Sequence, residues 1–232
     1  MSKVLTLVVW LLAAVMAAAS DAQTCRVDPP RINKPGFRPN VTIAYAVAPS
    51  PRGVPFPPDQ LACVWRAFQA WTGANDASAL GVRFVPGPRG IVVRYDDPLG
   101  LLPRHAAAGW TKPVRGDDGG LVGAEILLSP DGAVLDGCLG VTKTVLHELG
   151  HLHGLADRLD GAGPSVMNDG IRKNDRDGRI PLRPTPCDAE QARGASAAVG
   201  AVTMTAQRGP AVERGAVAER LSGRPSTQAA QR

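Results

Sequence analysis

Residues 144–157 read Thr144-Val145-Leu146-His147-Glu148-Leu149-Gly150-His151-Leu152-His153-Gly154-Leu155-Ala156-Asp157. The pattern from Thr142 to about Leu155 is that of a helix. On a helix, residues four apart lie about 40° apart around the axis, so His147 and His151 project side by side and can offer two imidazole nitrogens to one metal ion. Glu148 is too close in sequence to serve comfortably as a third ligand, but it is well placed to hold and deprotonate a metal-bound water. Gly154 can end the helix in a left-handed turn that a β-carbon resists, letting the chain swing back so that Asp157 completes the ligand set. Asp160 stands in reserve should that turn differ. His153 lies about 200° around the helix from His151, which predicts a surface or second-layer position facing away from the metal. His105, beside Arg104 in a loop, has no identifiable partner.

Three protein ligands leave a zinc ion one open position, which separates a catalytic site from a closed structural one. Water there loses a proton near neutral pH, and the reaction class that follows is amide hydrolysis, with Glu148 taking the proton and returning it to the leaving amine.

Working outward, residues 41–47 read as a strand, and Pro57-Pro58-Asp59 opens a helix. Leu61, Val64, Trp65, Phe68 and Trp71 fall on one face of that helix, a core stripe that Gly73 is expected to end. Residues 82–85 and 91–95 are further strands around a Pro-Gly-Pro-Arg-Gly turn. A loop region follows, and residues 121–128 form another strand. A last helix runs from Pro186-Cys187-Asp188 to about Val199. Beyond Thr205 no apolar periodicity remains, and residues 205–232 are expected to be a flexible basic tail.

The chain has 232 residues, 44% hydrophobic and 20% charged, enough for one domain with a core. Its 26 glycines and 21 prolines argue against a helical bundle. The formal net charge is +5, but Arg208, Arg214, Arg220, Arg224 and Arg232 concentrate it in the tail. No aromatics are interleaved there, so no nucleic-acid partner is expected. Lys3 followed by the apolar run Val4 to Ala19 has the layout of a secretory signal peptide, assigned to residues 1–22. The run is short for a membrane span, so a retained anchor is the weaker alternative and no stable membrane insertion is expected after cleavage.

Cys25, Cys63, Cys138 and Cys187 lie beyond that segment and suit two disulfides in an oxidising compartment. Three pairings are possible, and the sequential one, Cys25–Cys63 with Cys138–Cys187, is preferred here. The absence of a Cys-x-x-Cys pair speaks against cysteine-ligated zinc.

The run from His147 to Asp157, followed by Ser165-Val166-Met167-Asn168, resembles the metzincin metallopeptidases, with their His-Glu-x-x-His-x-x-Gly-x-x-ligand helix and methionine turn beneath the metal. The wider order of elements is similar to the matrixin branch. One departure is Asp157, where matrixins usually carry histidine; this resembles the snapalysin-like bacterial metzincins, and a carboxylate is an acceptable zinc ligand. The resemblance implies a mixed α/β, α+β fold for residues 23–204, with a twisted, mostly parallel sheet, an N-terminal amphipathic helix, a zinc helix and a C-terminal helix. It implies an extended protein or peptide substrate along an edge strand near residues 123–128, and a tolerant preference for aliphatic or aromatic side chains set by the loop from Asn168 to Pro186. Structural calcium is a further candidate cofactor, at Asp96, Asp97, Asp117 and Asp118, although ordinary solvated turns explain these residues as well. The Asn174–Gly178 stretch fails as an EF-hand because Lys173 and Pro184 occupy its first and last ligand positions. Only about 20 residues separate the signal from the first strand, so no folded pro-domain is expected, and Cys25 is assigned to a disulfide rather than to capping the zinc.

The expectation is therefore a secreted, monomeric zinc metalloendopeptidase with ligands His147, His151 and Asp157 and Glu148 as base. The alternative is a secreted module that binds zinc on the same scaffold without turnover. Intact Glu148 argues against it, since a pure binder has no need of a base.

Overall fold

A computed structural model describes residues 36–51, 53, 55–95, 108–117, 119–130, 137–158, 163–168 and 180–207. The signal segment, Cys25, Asp96, Asp97, His105, Asp118, Asp160 and the loop stretch 169–179 lie outside the described residues.

The strands are β1 (Thr42–Val47), β2 (Arg83–Pro86), β3 (Ile91–Tyr95), β4 (Gly109–Arg115) and β5 (Leu121–Leu128), and the helices are α1 (Pro58–Ala77), α2 (Gly137–Leu152) and α3 (Pro186–Gln207). The strands form one sheet in the order β2-β1-β3-β5-β4. β4 alone runs antiparallel, against β5. The described chain thus has a mixed α/β fold with a mostly parallel sheet. The parallel crossovers need intervening elements, and α1 supplies the one between β1 and β2.

Strand register puts Ile43, Tyr45, Phe84, Ile91, Val93, Ala124, Ile126 and Leu128 on one face of the sheet, and all are buried. α1 covers that face with Val64, Ala67, Phe68 and Trp71, each fully buried; Phe68 stacks on Tyr45 and meets Phe84 edge-on. α2 packs alongside through Val141, Val145, Leu146 and Leu149. The buried indole Nε1 of Trp71 donates to the Leu146 carbonyl at 2.9 Å, tying α1 to the helix that carries the paired histidines. On the opposite face, Glu125 receives Arg94 at 2.9 Å and Lys112 at 3.6 Å.

Five expectations are corrected. Strand β4 occupies residues read as loop: Gly109, Pro113 and Gly116 interrupt the strand pattern, and an edge strand tolerates a proline because one side of its backbone needs no partner. For the same reason residues 121–128 are an inner strand, and the edge beside α2 is β4. α1 does not stop at Gly73 but continues to Ala77, since Trp71 and Asn75 keep its buried face in register with the sheet. Trp65 leaves the stripe and is 49% exposed, because Val64 and Phe68 already centre the buried arc. α3 extends past Val199 to Gln207.

The cysteine pairing differs as well. Cys63 bonds to Cys138, joining the buried face of α1 to the first turn of α2, where Thr142 Oγ1 also donates to the Cys63 carbonyl. Adjacent packing of the two helices, rather than order along the chain, brings these sulfurs together. Cys187 is also disulfide-bonded. No helix among the described residues is long and apolar enough to cross a membrane.

His153 is likewise corrected: it faces away from the paired histidines, yet it is 1% exposed and lies in the core against Phe37, Trp71 and Phe84. Neither ring nitrogen has a hydrogen-bond partner among the described residues, and burial pushes its pKa down to about 3. A folded-state pKa below the unfolded value means that this site's contribution is whole above about pH 6.5 and is lost as pH falls toward 3. His153→Phe, which keeps a ring of similar shape and removes the orphaned polar atoms, is expected to stabilise the fold by about 1–3 kcal/mol. The gain should widen between pH 6.5 and 4, read as urea midpoints across that range. A variant equally or more acid-sensitive than the parent would contradict it.

Candidate metal centre

Helix α2 positions the two histidines, and its C-terminus positions the third group. Gly154 has φ +91, its N–H bonds the His151 carbonyl at 3.0 Å, and the next N–H, of Leu155, reaches back to Gly150 at 3.0 Å. This pair of bonds is a Schellman stop, sealed by the buried Leu155. It reverses the chain as the glycine's position predicts and delivers Asp157 to the imidazoles. Asp157 Oδ1 lies 3.0 Å from His147 Nε2 and 3.3 Å from His151 Nε2.

The three ligand atoms lie within 4.8 Å of one another and could hold a metal ion; among the described residues no other group of three or more His, Cys, Asp or Glu does so. Asp117, in the turn after β4, belongs to no such group. Backbone acceptors fix both rings: His147 Nδ1 is 2.9 Å from the Val166 carbonyl, and His151 Nδ1 is 3.0 Å from the Leu155 carbonyl. With each Nδ1 proton so engaged, both Nε2 atoms are the free coordinating positions, the outer-shell arrangement that orients metal-ligating histidines.

The electrostatics agree with that fit. Without a cation, His151 Nε2 meets the Asp157 carboxylate oxygen by carrying a proton. Burial opposes charge on His151, but the hydrogen bond to Asp157, the nearby Glu148 and the Leu155 carbonyl outweigh it and raise its pKa to about 9. Hydrogen bonds from His147 and then His151 hold the Asp157 carboxyl well below the usual range. One metal ion can replace the His151 proton and satisfy the same three atoms, so binding and protonation compete and ion affinity rises with pH.

The floor beneath the histidines is the turn at residues 165–168. Met167 is buried, and a β-carbon at Gly150 would stand 2.1 Å from its sulfur, so only glycine between the two histidines lets the methionine approach the helix. Asp188 anchors this turn from α3. Its carboxylate accepts from Ser165 Oγ at 2.5 Å and from the Val166 N–H at 3.2 Å. It also accepts from the N–H and hydroxyl of Thr185, while Thr185 Oγ1 receives the Asp188 N–H. Thr185 and Asp188 thus close a reciprocal cap on the first turn of α3, with Pro186 in the first helical position. The cap binds the turn at residues 165–168 to α3.

Glu148 is buried and faces β4. Thr111 Oγ1 donates to Glu148 Oε2 at 2.5 Å. The structure therefore gathers His147, His151 and Asp157 and sets Glu148 on the same helical turn against the sheet edge. Sequence reasoning missed Thr111, the carbonyls of Val166 and Leu155, and Asp188. The carbonyls leave no trace in residue identity, Thr111 sits in a segment read as loop, and only the Thr-x-x-Asp spacing at 185–188 carried a readable signal. Compared with known proteins, the chain matches no family model and no curated protein.

Proposed function

We propose that the chain is a secreted zinc-dependent endopeptidase of the matrixin-like metzincin class. The observation that carries the reading is the convergence of His147, His151 and Asp157 at the end of a helix that also presents a buried glutamate toward β4, the edge strand among the described residues. Two imidazole nitrogens and a carboxylate oxygen suit zinc and leave a position open. When bound, zinc polarises a carbonyl and acidifies water.

The chain's own residues supply the rest. His147 and His151 present Nε2 because their Nδ1 atoms are tied to backbone carbonyls. Glu148 accepts a proton from the attacking water at a carboxylate oxygen and returns it to the leaving amine nitrogen, which departs neutral. Among the described residues β4 ends the sheet, so its outer side would offer an extended peptide main-chain hydrogen bonds by strand addition. The substrate strand assigned to residues 123–128 moves accordingly to Gly109–Arg115.

Removal of the ion tests this reading. Dialysis against a chelator should abolish cleavage of an unfolded protein substrate, and one equivalent of zinc should restore it. Cleavage that persists once elemental analysis finds no metal would contradict it.

A further inference from the structure

Gly109 and Thr111 are two apart on β4 and therefore share a face, the face turned to α2 and Glu148. Their relations to the glutamate are complementary. Thr111 Oγ1 approaches Glu148 Oε2 at 2.5 Å and the Glu148 carbonyl at 3.3 Å. A β-carbon at Gly109 would lie 3.0 Å from Glu148 Oε1, 3.2 Å from its Cγ and 2.7 Å from Thr144 Cγ2. One strand residue thus holds one carboxylate oxygen, and the next residue on that face leaves room for the other.

We propose that Thr111 is a positioning residue for Glu148: its hydroxyl donates to Oε2 and fixes the side chain so that Oε1 is the atom that receives the proton. The inference rests on the peptidase reading. It makes the substrate-docking strand the same element that aims the base, so a peptide ordering β4 also orders the carboxylate. A carboxylate free to rotate about three side-chain bonds spends most of its time misaimed, and small misplacements near reacting atoms lower rates steeply. The hydroxyl is the one group on β4 that removes this freedom by a charge-assisted hydrogen bond.

The test uses the full chain. Thr111→Val keeps the branched shape and loses the donor; kcat should fall about 10- to 100-fold with KM and zinc content unchanged, and Thr111→Ser should return kcat to within about threefold, since it keeps the hydroxyl. A second readout needs no turnover. In the metal-free protein, Thr111→Val should lower the unfolding midpoint clearly more in the parent than in a Glu148→Ala background, where the carboxylate contact is gone and only the 3.3 Å approach to the residue-148 carbonyl remains. A merely structural Thr111 would lower the midpoint equally in both, and serine would not restore the rate. If the parent cleaves and its kcat is indifferent to Thr111→Val, this inference alone is overturned. If the parent holds zinc and cleaves nothing, the peptidase reading fails and takes the inference with it.

Discussion

Asp157→Ala is expected to release the metal ion. Outer partners of metal ligands alone are worth 10- to 100-fold in affinity, so losing a ligand should weaken binding by upwards of about a hundredfold, measured by competition with a chromogenic chelator. The same substitution removes the acceptor that both Nε2 atoms face. In the metal-free protein the His151 pKa should then drop from about 9, because burial would act on it with less opposition, and an NMR titration of the ring protons reads this directly. Unchanged affinity would place the third ligand elsewhere.

Replacing both Cys63 and Cys138 by alanine should lower stability by about 4 kcal/mol on the chain-entropy account, given a bond that closes 75 residues of sequence separation. Urea unfolding of the double variant measures it. The loss should reach the metal centre, since the same pair of helices is held by the Trp71 indole on the Leu146 carbonyl, one residue before His147. A variant as stable as the parent would mean that helix packing alone sets the α1–α2 geometry.

The helical period made the centre legible. His147, His151 and Asp157 meet because four-residue spacing and a left-handed glycine are local rules, independent of the rest of the fold. Most element centres were readable for the same reason. What escaped reading depends on contacts between distant segments. β4 hid behind Pro113, which only its edge position permits. The beginning of α2 hid behind Gly137 and Gly140, poor helix formers held in the helix by the Cys63–Cys138 bond and by packing. By its angle alone, His153 is expected in a surface or second-layer position. That angle in fact points into the aromatic core, because α2 is covered on both its metal side and its rear.

The central claim is that this site hydrolyses peptide bonds with Glu148 as base. Its most direct test measures zinc content and cleavage of a quenched peptide library for the purified parent and for Glu148→Ala, side by side. The account predicts one zinc in each, with cleavage by the variant down by about 10²- to 10⁴-fold, the usual weight of a positioned acid–base group. A parent that holds zinc and cleaves nothing, or a variant that cleaves as fast as the parent, would contradict it.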